Sequence, residues 1–370
     1  MNLLILTCST GEGHNSAAKA IAADFTARGW QVEQLNALRF VSPAQARIIT
    51  QGHIFFYRHM PKLYGTGYRL EEKRNSSQGI YRSCTRMARP LYRYLRDRSY
   101  DAICCVHVFP ALAMTYIRRR WGYPVKTCFV STDYTCSPSV ELVDADYYFI
   151  PRGLREEFSR CGLPEKRLVE SGIPVCPQFY ETVPREEARR RLGLSREGQL
   201  ALLTGGSMGA GPMEELAAQL DPLLSEAERL VVVCGSNRHL KERLEQLPLQ
   251  HTRVLGFTRE MDLWMDAADF LIGKPGGLNS TEAAVKHLPM LFINAVPGCE
   301  TRNLEFFLQH GYADTAPSVS ELCECACRLF RQPELLAERR QRLEEDFSYC
   351  AARYIGDAVC ASEEERAALQ

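Results

Sequence analysis

Leu3-Leu4-Ile5-Leu6-Thr7-Cys8-Ser9-Thr10-Gly11-Glu12-Gly13-His14-Asn15-Ser16 opens the chain with a short apolar run that stops at a glycine turn. An unbroken apolar run of this length reads as a strand buried on both faces, as in parallel sheets. Residues 16–27 are alanine-rich and suit a helix packed on that sheet, and residues 32–38 read as the next strand. Strand, turn, helix and strand in this order open a doubly wound α/β domain. The alternation continues with strands at 102–108, 126–131 and 146–150, a helix at 111–120, and Gly172-Ile173-Pro174-Val175 closing the half.

Residues 184–196 read as a charged, exposed helix and turn, and the domain boundary falls just before it. A second series follows, with strands at 200–204, 229–234, 252–255, 270–273 and 290–293. Its helices are expected at 213–224, 240–246, 261–267 and 281–287. The expected organisation is an N-terminal domain over 1–180, a C-terminal domain over 181–340, and a final helix over 341–370 that packs back on the first domain. Two such open α/β domains leave a cleft, and ligands bind outside the carboxyl ends of their strands.

The chain has 370 residues, 45% apolar and 24% charged, with zero formal net charge, so it is not a polyelectrolyte binder as a whole. Its 15 cysteines lack metal-type spacing and read as thiols of a reducing compartment. Cys323, Cys325 and Cys327 alternate within an expected helix, so their thiols diverge around its axis. The N-terminus has no basic n-region, and no apolar stretch is long enough to span a membrane. The expected location is cytoplasmic. One local patch stands out. Residues 58–98 hold eleven Lys/Arg against three acids, interleaved with tyrosines, which suits either an anionic membrane surface or a solvated helical face. No nucleic-acid recognition module accompanies it.

Four segments carry candidate chemistry. The first is the Gly11–Ser16 turn, where His14 at a helix start can act as a general base or serve as a structural, hydrogen-bonded histidine. The second is Thr204-Gly205-Gly206-Ser207-Met208-Gly209-Ala210-Gly211, a strand-to-helix turn that exposes backbone N–H groups to an anion, or else a plain tight turn. The third is Lys274-Pro275-Gly276-Gly277-Leu278-Asn279-Ser280-Thr281-Glu282. Glu282, expected in the first helical turn, can accept both hydroxyls of a ribose or simply favour the helix dipole. The fourth, Val296 to Glu305, reads as a loop whose polar groups could reach sugar hydroxyls. Asp144-Ala145-Asp146 has metal-pair spacing but begins an expected strand, so no metal is expected.

Together, G-E-G-H-N-S-A at 11–17, T-D-Y at 132–134, G-I-P-V at 172–175, G-G-S-M-G at 205–209 and P-G-G-L-N-S-T-E at 275–282 resemble one family. It is the diacylglycerol glycosyltransferases of the monogalactosyldiacylglycerol synthase and processive diacylglycerol glucosyltransferase type. The chain is more distantly similar to the N-acetylglucosaminyltransferase that completes the peptidoglycan lipid precursor. The resemblance spans about residues 1–340 by motif order. It implies a GT-B fold, with two Rossmann-like domains facing a central cleft, and an inverting, metal-independent hexosyltransferase. A UDP-sugar would be the donor and a diacylglycerol-type lipid the acceptor. No cofactor is implied, and attachment to the membrane would be peripheral.

By motif position, His14 would be the catalytic base. Gly206, Ser207 and Met208 would hold diphosphate, and Gly256, Phe257 and Thr258 would read uracil. Gly276, Gly277, Asn279, Ser280 and Glu282 would complete the nucleotide site, while Glu300 and Asn303 would contact the donor sugar. Gly11, Gly13, Asn15, His107 and Asp133 would border the acceptor. His107, and the loop after Asp133, depart from the family's usual residues, which bears on acceptor identity. N-acetylglucosaminyl transfer to another lipid-linked acceptor and UDP-sugar 2-epimerisation on the same fold are the alternative readings.

Overall fold

The computed structural model describes residues 1–8, 12–47, 77–293, 295 and 297–361. In it β1 (Asn2–Thr7) lies one strand in from the edge of a parallel sheet, with Leu3, Leu4, Ile5 and Leu6 all fully buried. Its neighbours are β2 (Gln31–Asn36) and β3 (Ala102–Cys105), followed by β4 (Lys126–Val130), β5 (Tyr147–Phe149) and β6 (Leu168–Val169). The spatial order is β2-β1-β3-β4-β5-β6. Side chains alternate across a strand, so β1 feeds two cores. Leu4 and Leu6 join Met87, Leu91 and Leu112 on one face, while Leu3 and Ile5 join Ile21, Phe25 and Val359 on the other. A continuous apolar run is what such two-sided burial requires.

The second sheet holds β7 (Gln199–Thr204), β8 (Glu228–Val233), β9 (Thr252–Leu255), β10 (Phe270–Gly273), β11 (Met290–Phe292) and β12 (Ala313–Thr315). Its order is β12-β11-β10-β7-β8-β9, and every described pairing in both sheets is parallel. One compact unit takes in residues 1–177 and, from the far end of the chain, the Ala351–Cys360 helix; the other takes in residues 178–295 and 300–349. The Ala351–Cys360 helix lies so close to Glu12–Ala27 that a Cβ on Gly356 would meet Asp24 and Arg28.

Several element boundaries differ from expectation for local reasons. The first helix begins at Glu12, not Ser16, which puts His14 within its first turn. The strand expected to reach residue 38 stops at Asn36, whose side chain accepts from the Leu38 amide and starts a 3₁₀ turn. The strand expected over 102–108 stops at Cys105 because His107 caps the helix Val108–Trp121. The helix expected at Thr281 already begins at Gly277, so Glu282 sits in the second turn, not the first. The expected loop around 300 is the helix Cys299–Gln309. Strands β6 and β12, of two and three residues, were too short to register as apolar runs.

The helix Arg185–Arg191 corrects a larger expectation. It is not uniformly exposed, since Arg189 is only 2% exposed. Its guanidinium donates to the carbonyls of Ala267, Arg196 and Gly198 and to Asp269. Asp269 also accepts from the Leu200 amide at the start of β7 and pairs with Arg185. A planar fork of donors can tie several chain ends at one point, which a charge pattern alone does not reveal.

The basic stretch lies partly outside the described residues. Within them, Ser77–Arg96 is a helix. It buries Cys84, Met87, Leu91 and Leu95 and presents Arg86, Arg89, Arg93 and Arg96 outward. Tyr92 stacks on Trp121 at 4.5 Å. No helix among the described residues is long and apolar enough to cross a membrane. Asp146 is held by Arg118 through two hydrogen bonds, and Asp144 by Arg167. Among the described residues no group of acids, histidines and cysteines could hold a metal.

Candidate active site

Strand order reverses in the first unit between β1 and β3, where Leu6 pairs with Cys105. At such a switch point the connections leave on opposite faces and open a crevice at the carboxyl ends. The chain after β1 supplies His14 from the first turn of its helix, and the chain after β3 supplies Val106 and His107. His14 Nδ1 lies 2.8 Å from the Val106 carbonyl oxygen. A carbonyl only accepts, so Nδ1 carries the proton, and the lone pair of the neutral ring sits on Nε2. Thr132 Oγ1 lies 3.2 Å from the same Nδ1 and steadies the ring from the β4 side.

Burial pulls the His14 imidazole below its ordinary value, against the opposing pull of Asp133 and the Val106 carbonyl. The ring is therefore neutral at pH 7 and able to take a proton. His107 packs edge to face against it, centroids 4.7 Å apart. His107 Nδ1 accepts from the Phe109 amide at 3.1 Å, capping the helix and leaving the proton of the neutral ring on Nε2. Gly13, Asn15, His107 and Asp133 are all half-buried around this point, while Gly11 lies outside the described residues. Cys176, just past Gly172–Val175, reaches the Ser16 carbonyl at 3.6 Å. Val106 and Thr132 were absent from the expected set. Their roles depend on β3 lying beside β1 and β4 beside β3, which no local pattern encodes.

The second unit reverses strand order between β7 and β10, where Thr204 pairs with Gly273, and Gly273 pairs in turn with Phe292. Two glycine turns thus leave adjacent strand ends. In the turn after β7, a Cβ on Gly205 would lie 2.4 Å from the Ala210 amide nitrogen, and one on Gly209 would lie 2.2 Å from the Cys234 carbonyl. The loop is folded this tightly against the turn after β8; Ser236 donates to the Ser207 carbonyl from both its amide and its hydroxyl. Its other side is open. Gly206 has nothing within 4 Å of a built Cβ, Ser207 is exposed and Met208 half-buried.

The turn after β10 has Gly276 as N-cap with no side-chain cap, so the first-turn amides of Gly277–Val285 keep their donors. Gly277 is buried and Asn279 half-buried, and the buried Ser280 Oγ has no hydrogen-bond partner. Glu282 lies one turn further. Burial, and secondarily the Asp262 carboxylate, pushes its carboxyl up to about 8. Its side chain has no protein hydrogen-bond partner among the described residues.

Glu300 faces Lys274 across 3.4 Å, both side chains nearly buried. Burial lowers the Lys274 ammonium, and Glu300 opposes that shift. Lys274 was not an expected site residue. Asn303 is fully buried and donates to the Pro275 carbonyl at 3.0 Å, bracing the same turn from beneath. Gly256, Phe257 and Thr258 follow β9 at the edge of the sheet; the Phe257 ring is 68% exposed, and Thr258 Oγ1 accepts from the Glu260 amide.

Two doubly wound units with glycine turns at their switch points make up the GT-B fold, and comparison with known proteins agrees. Residues 14–175 match the family model for monogalactosyldiacylglycerol (MGDG) synthase, and residues 200–320 match the glycosyltransferase family 28 C-terminal domain. The processive diacylglycerol beta-glucosyltransferase of Bacillus pumilus is 25% identical over 92% of this chain and 90% of its own. A probable chloroplastic monogalactosyldiacylglycerol synthase from Glycine max is 28% identical over 89% of this chain and 65% of its own. The crystal structure of Acinetobacter baumannii MurG shares the fold, with a TM-score of 0.65 and 16% identity over 97% of this chain and 99% of that one. The chain is thus similar over most of its length to diacylglycerol glycosyltransferases, with a monogalactosyldiacylglycerol synthase model in its first half and a glycosyltransferase family 28 model in its second.

Proposed function

We propose that this enzyme transfers a hexose from a UDP-sugar to a diacylglycerol-type lipid, inverting the anomeric centre without a metal. The observation that carries the reading is the tautomer of His14. Its Nδ1–H is committed to Val106, so Nε2 is the basic atom at the first unit's switch point. In the step, Nε2 takes the acceptor hydroxyl proton as that oxygen bonds to the anomeric carbon, and the carbon–oxygen bond to UDP breaks with both electrons leaving on the diphosphate. A single displacement of this kind inverts the centre, and amides facing the diphosphate stabilise the charge that develops.

In this reading the Gly206–Met208 backbone and the first turn of Gly277–Val285 face the diphosphate. Glu282 accepts the ribose hydroxyls, which fits a half-buried carboxyl lacking a protein partner among the described residues. Uracil lies beside Gly256–Thr258, Glu300 meets the donor sugar, and Asn303 holds the turn beneath it. Asp133, Asn15 and His107 border the acceptor. The outward arginines of Ser77–Arg96 rest on an anionic membrane surface, where each basic residue contributes about 1 kcal/mol, and so hold the enzyme peripherally.

The test is product analysis by mass spectrometry and anomeric NMR, using a panel of UDP-sugars, diacylglycerol vesicles and a chelator. A β-linked glycolipid formed from an α-linked donor in the presence of chelator is expected. Epimerised UDP-sugar formed without acceptor would replace this reading with the 2-epimerase one.

A further inference from the structure

The loop after β4 touches the candidate base at one end and a pair of cysteines at the other. At its start Thr132 Oγ1 lies 3.2 Å from His14 Nδ1. Further along, one carboxylate anchors it: Glu157 Oε1 accepts from the Thr135 hydroxyl at 2.7 Å and from the Cys136 amide at 2.9 Å. Glu157 belongs to the helix Arg155–Arg160, and the residue one turn beyond it is Cys161, whose amide donates to the Glu157 carbonyl at 3.1 Å. Residues four apart share one face of a helix. The anchor that grips Cys136 therefore also brings Cys161 alongside it, and the two thiols hydrogen-bond to each other.

The pair is asymmetric. Cys161 is exposed, and Gly162 beside it has nothing within 4 Å of a built Cβ, so a reagent can reach this side of the loop. Cys136 is half-buried. The hydrogen bond from Cys136 holds the Cys161 thiol down at about 7, with help from Arg160 and against burial, Glu157 and Glu141. The same contact, with burial, pushes the Cys136 thiol well up. The thiolate is the nucleophile, and an attacking thiol that ionises near the ambient pH reacts best. Cys161 is thus the attacking sulfur and Cys136 the resolving one. Cys104 and Cys128 also hydrogen-bond to each other, but both are fully buried and out of a dissolved reagent's reach.

We propose that Cys136 and Cys161 are a thiol-modification site: a low-molecular-weight disulfide oxidises them to a reversible disulfide, and that bond slows transfer through the loop that steadies His14. The Cys161 thiolate attacks one sulfur of the reagent, forming a mixed disulfide and releasing one thiolate, which takes up a proton. Cys136 then gives its proton to water and attacks the Cys161 sulfur, expelling the second thiolate. Two protein thiols and one small disulfide become one protein disulfide and two small thiols. Closing two hydrogen-bonded sulfurs to about 2.05 Å draws Cys136 toward the helix. It shifts the Thr132 end of the same loop relative to the His14 ring. The bond stands on the geometry of the pair alone; its effect on transfer rests on the reading of His14 given above.

The experiment treats the full chain with glutathione disulfide, alkylates the remaining thiols and maps linked peptides by mass spectrometry. A Cys136–Cys161 link that dithiothreitol reverses is expected. Transfer should fall by at least about threefold on oxidation, since small displacements at a reacting centre are costly, and should recover on reduction, while UDP affinity stays within about twofold. Cys161→Ser should keep the reduced rate and lose both the link and the sensitivity. Cys136→Ser should stop at the mixed disulfide on Cys161. Cys360→Ser, which removes an exposed thiol elsewhere, should behave as the unsubstituted chain. Absence of the link, a link that leaves transfer within threefold, or an equal loss in Cys161→Ser would overturn the proposal. A reduced chain without any transfer would overturn the catalytic reading instead, and the peptide map would still decide the bond.

Discussion

Glu282 leads to a measurement of protons. Its carboxyl, raised to about 8 by burial, is protonated in most ligand-free molecules at neutral pH. A group with that value carries about nine-tenths of a proton at pH 7 and about one-tenth at pH 9. If the ribose of the donor gives its two hydroxyl hydrogens to this carboxylate, binding favours the ionised form and pushes its pKa down. Binding at pH 7 should then release up to about 0.9 proton per nucleotide, and at pH 9 about 0.1. The assay is calorimetry in buffers of different ionisation enthalpy, where the slope of observed enthalpy against buffer enthalpy counts protons. Uridine is the cleaner ligand, because UDP brings a phosphate that titrates itself. Glu282→Gln should abolish the linkage and weaken uridine binding by about 1.5–3 kcal/mol, the worth of hydrogen bonds to a charged group. A slope of zero at pH 7, or the same slope in Glu282→Gln, would refute the reasoning.

His14→Ala should abolish transfer by removing the Nε2 base, yet leave UDP titrations unchanged. Because burial lowers the His14 pKa, the active neutral form is fully present above pH 6.5 and is lost as pH falls through the depressed value, so the pH–rate profile of kcat should show its acid limb below 6.5. Replacing His107 with Thr keeps an N-cap and should cost less than about 1 kcal/mol in thermal unfolding. It also uncovers the His14 ring, whose centroid lies 4.7 Å away; because burial is what lowers the His14 pKa, the acid limb should move to higher pH. Asp269→Ala strips the buried Arg189 of its charge partner and should destabilise by about 3–5 kcal/mol in denaturant titrations. Charge reversal at Arg86, Arg89 and Arg93 should weaken binding to phosphatidylglycerol vesicles in a salt-dependent way, with transfer to detergent-dispersed diacylglycerol retained.

The class of the fold and most of its elements were legible in the chain itself. Leu3–Leu6 and the other apolar runs had to be buried on both faces, which fixes parallel strands, and the runs at 3–8, 200–204 and 270–273 lead into glycine turns where ligands can approach. The glycines at 205 and 209 were legible for the same reason, since their backbone has no room for a side chain. Glu282 was legible as a residue but not as a chemical state. Its raised carboxyl comes from burial and from Asp262, twenty residues earlier and on another element. The same holds for the tautomer of His14, which is set by a carbonyl ninety-two positions away, and for Lys274, which gains meaning only when β10 lies beside β7 and Glu300 folds back to face it. Arg189, read from its neighbours as a surface charge, is buried because Asp269 and three carbonyls converge on it. Sequence thus determined which residues line the strand ends. Tertiary structure alone decided their protonation and their partners, because desolvation and charge pairing depend on neighbours in space and leave no period along the chain.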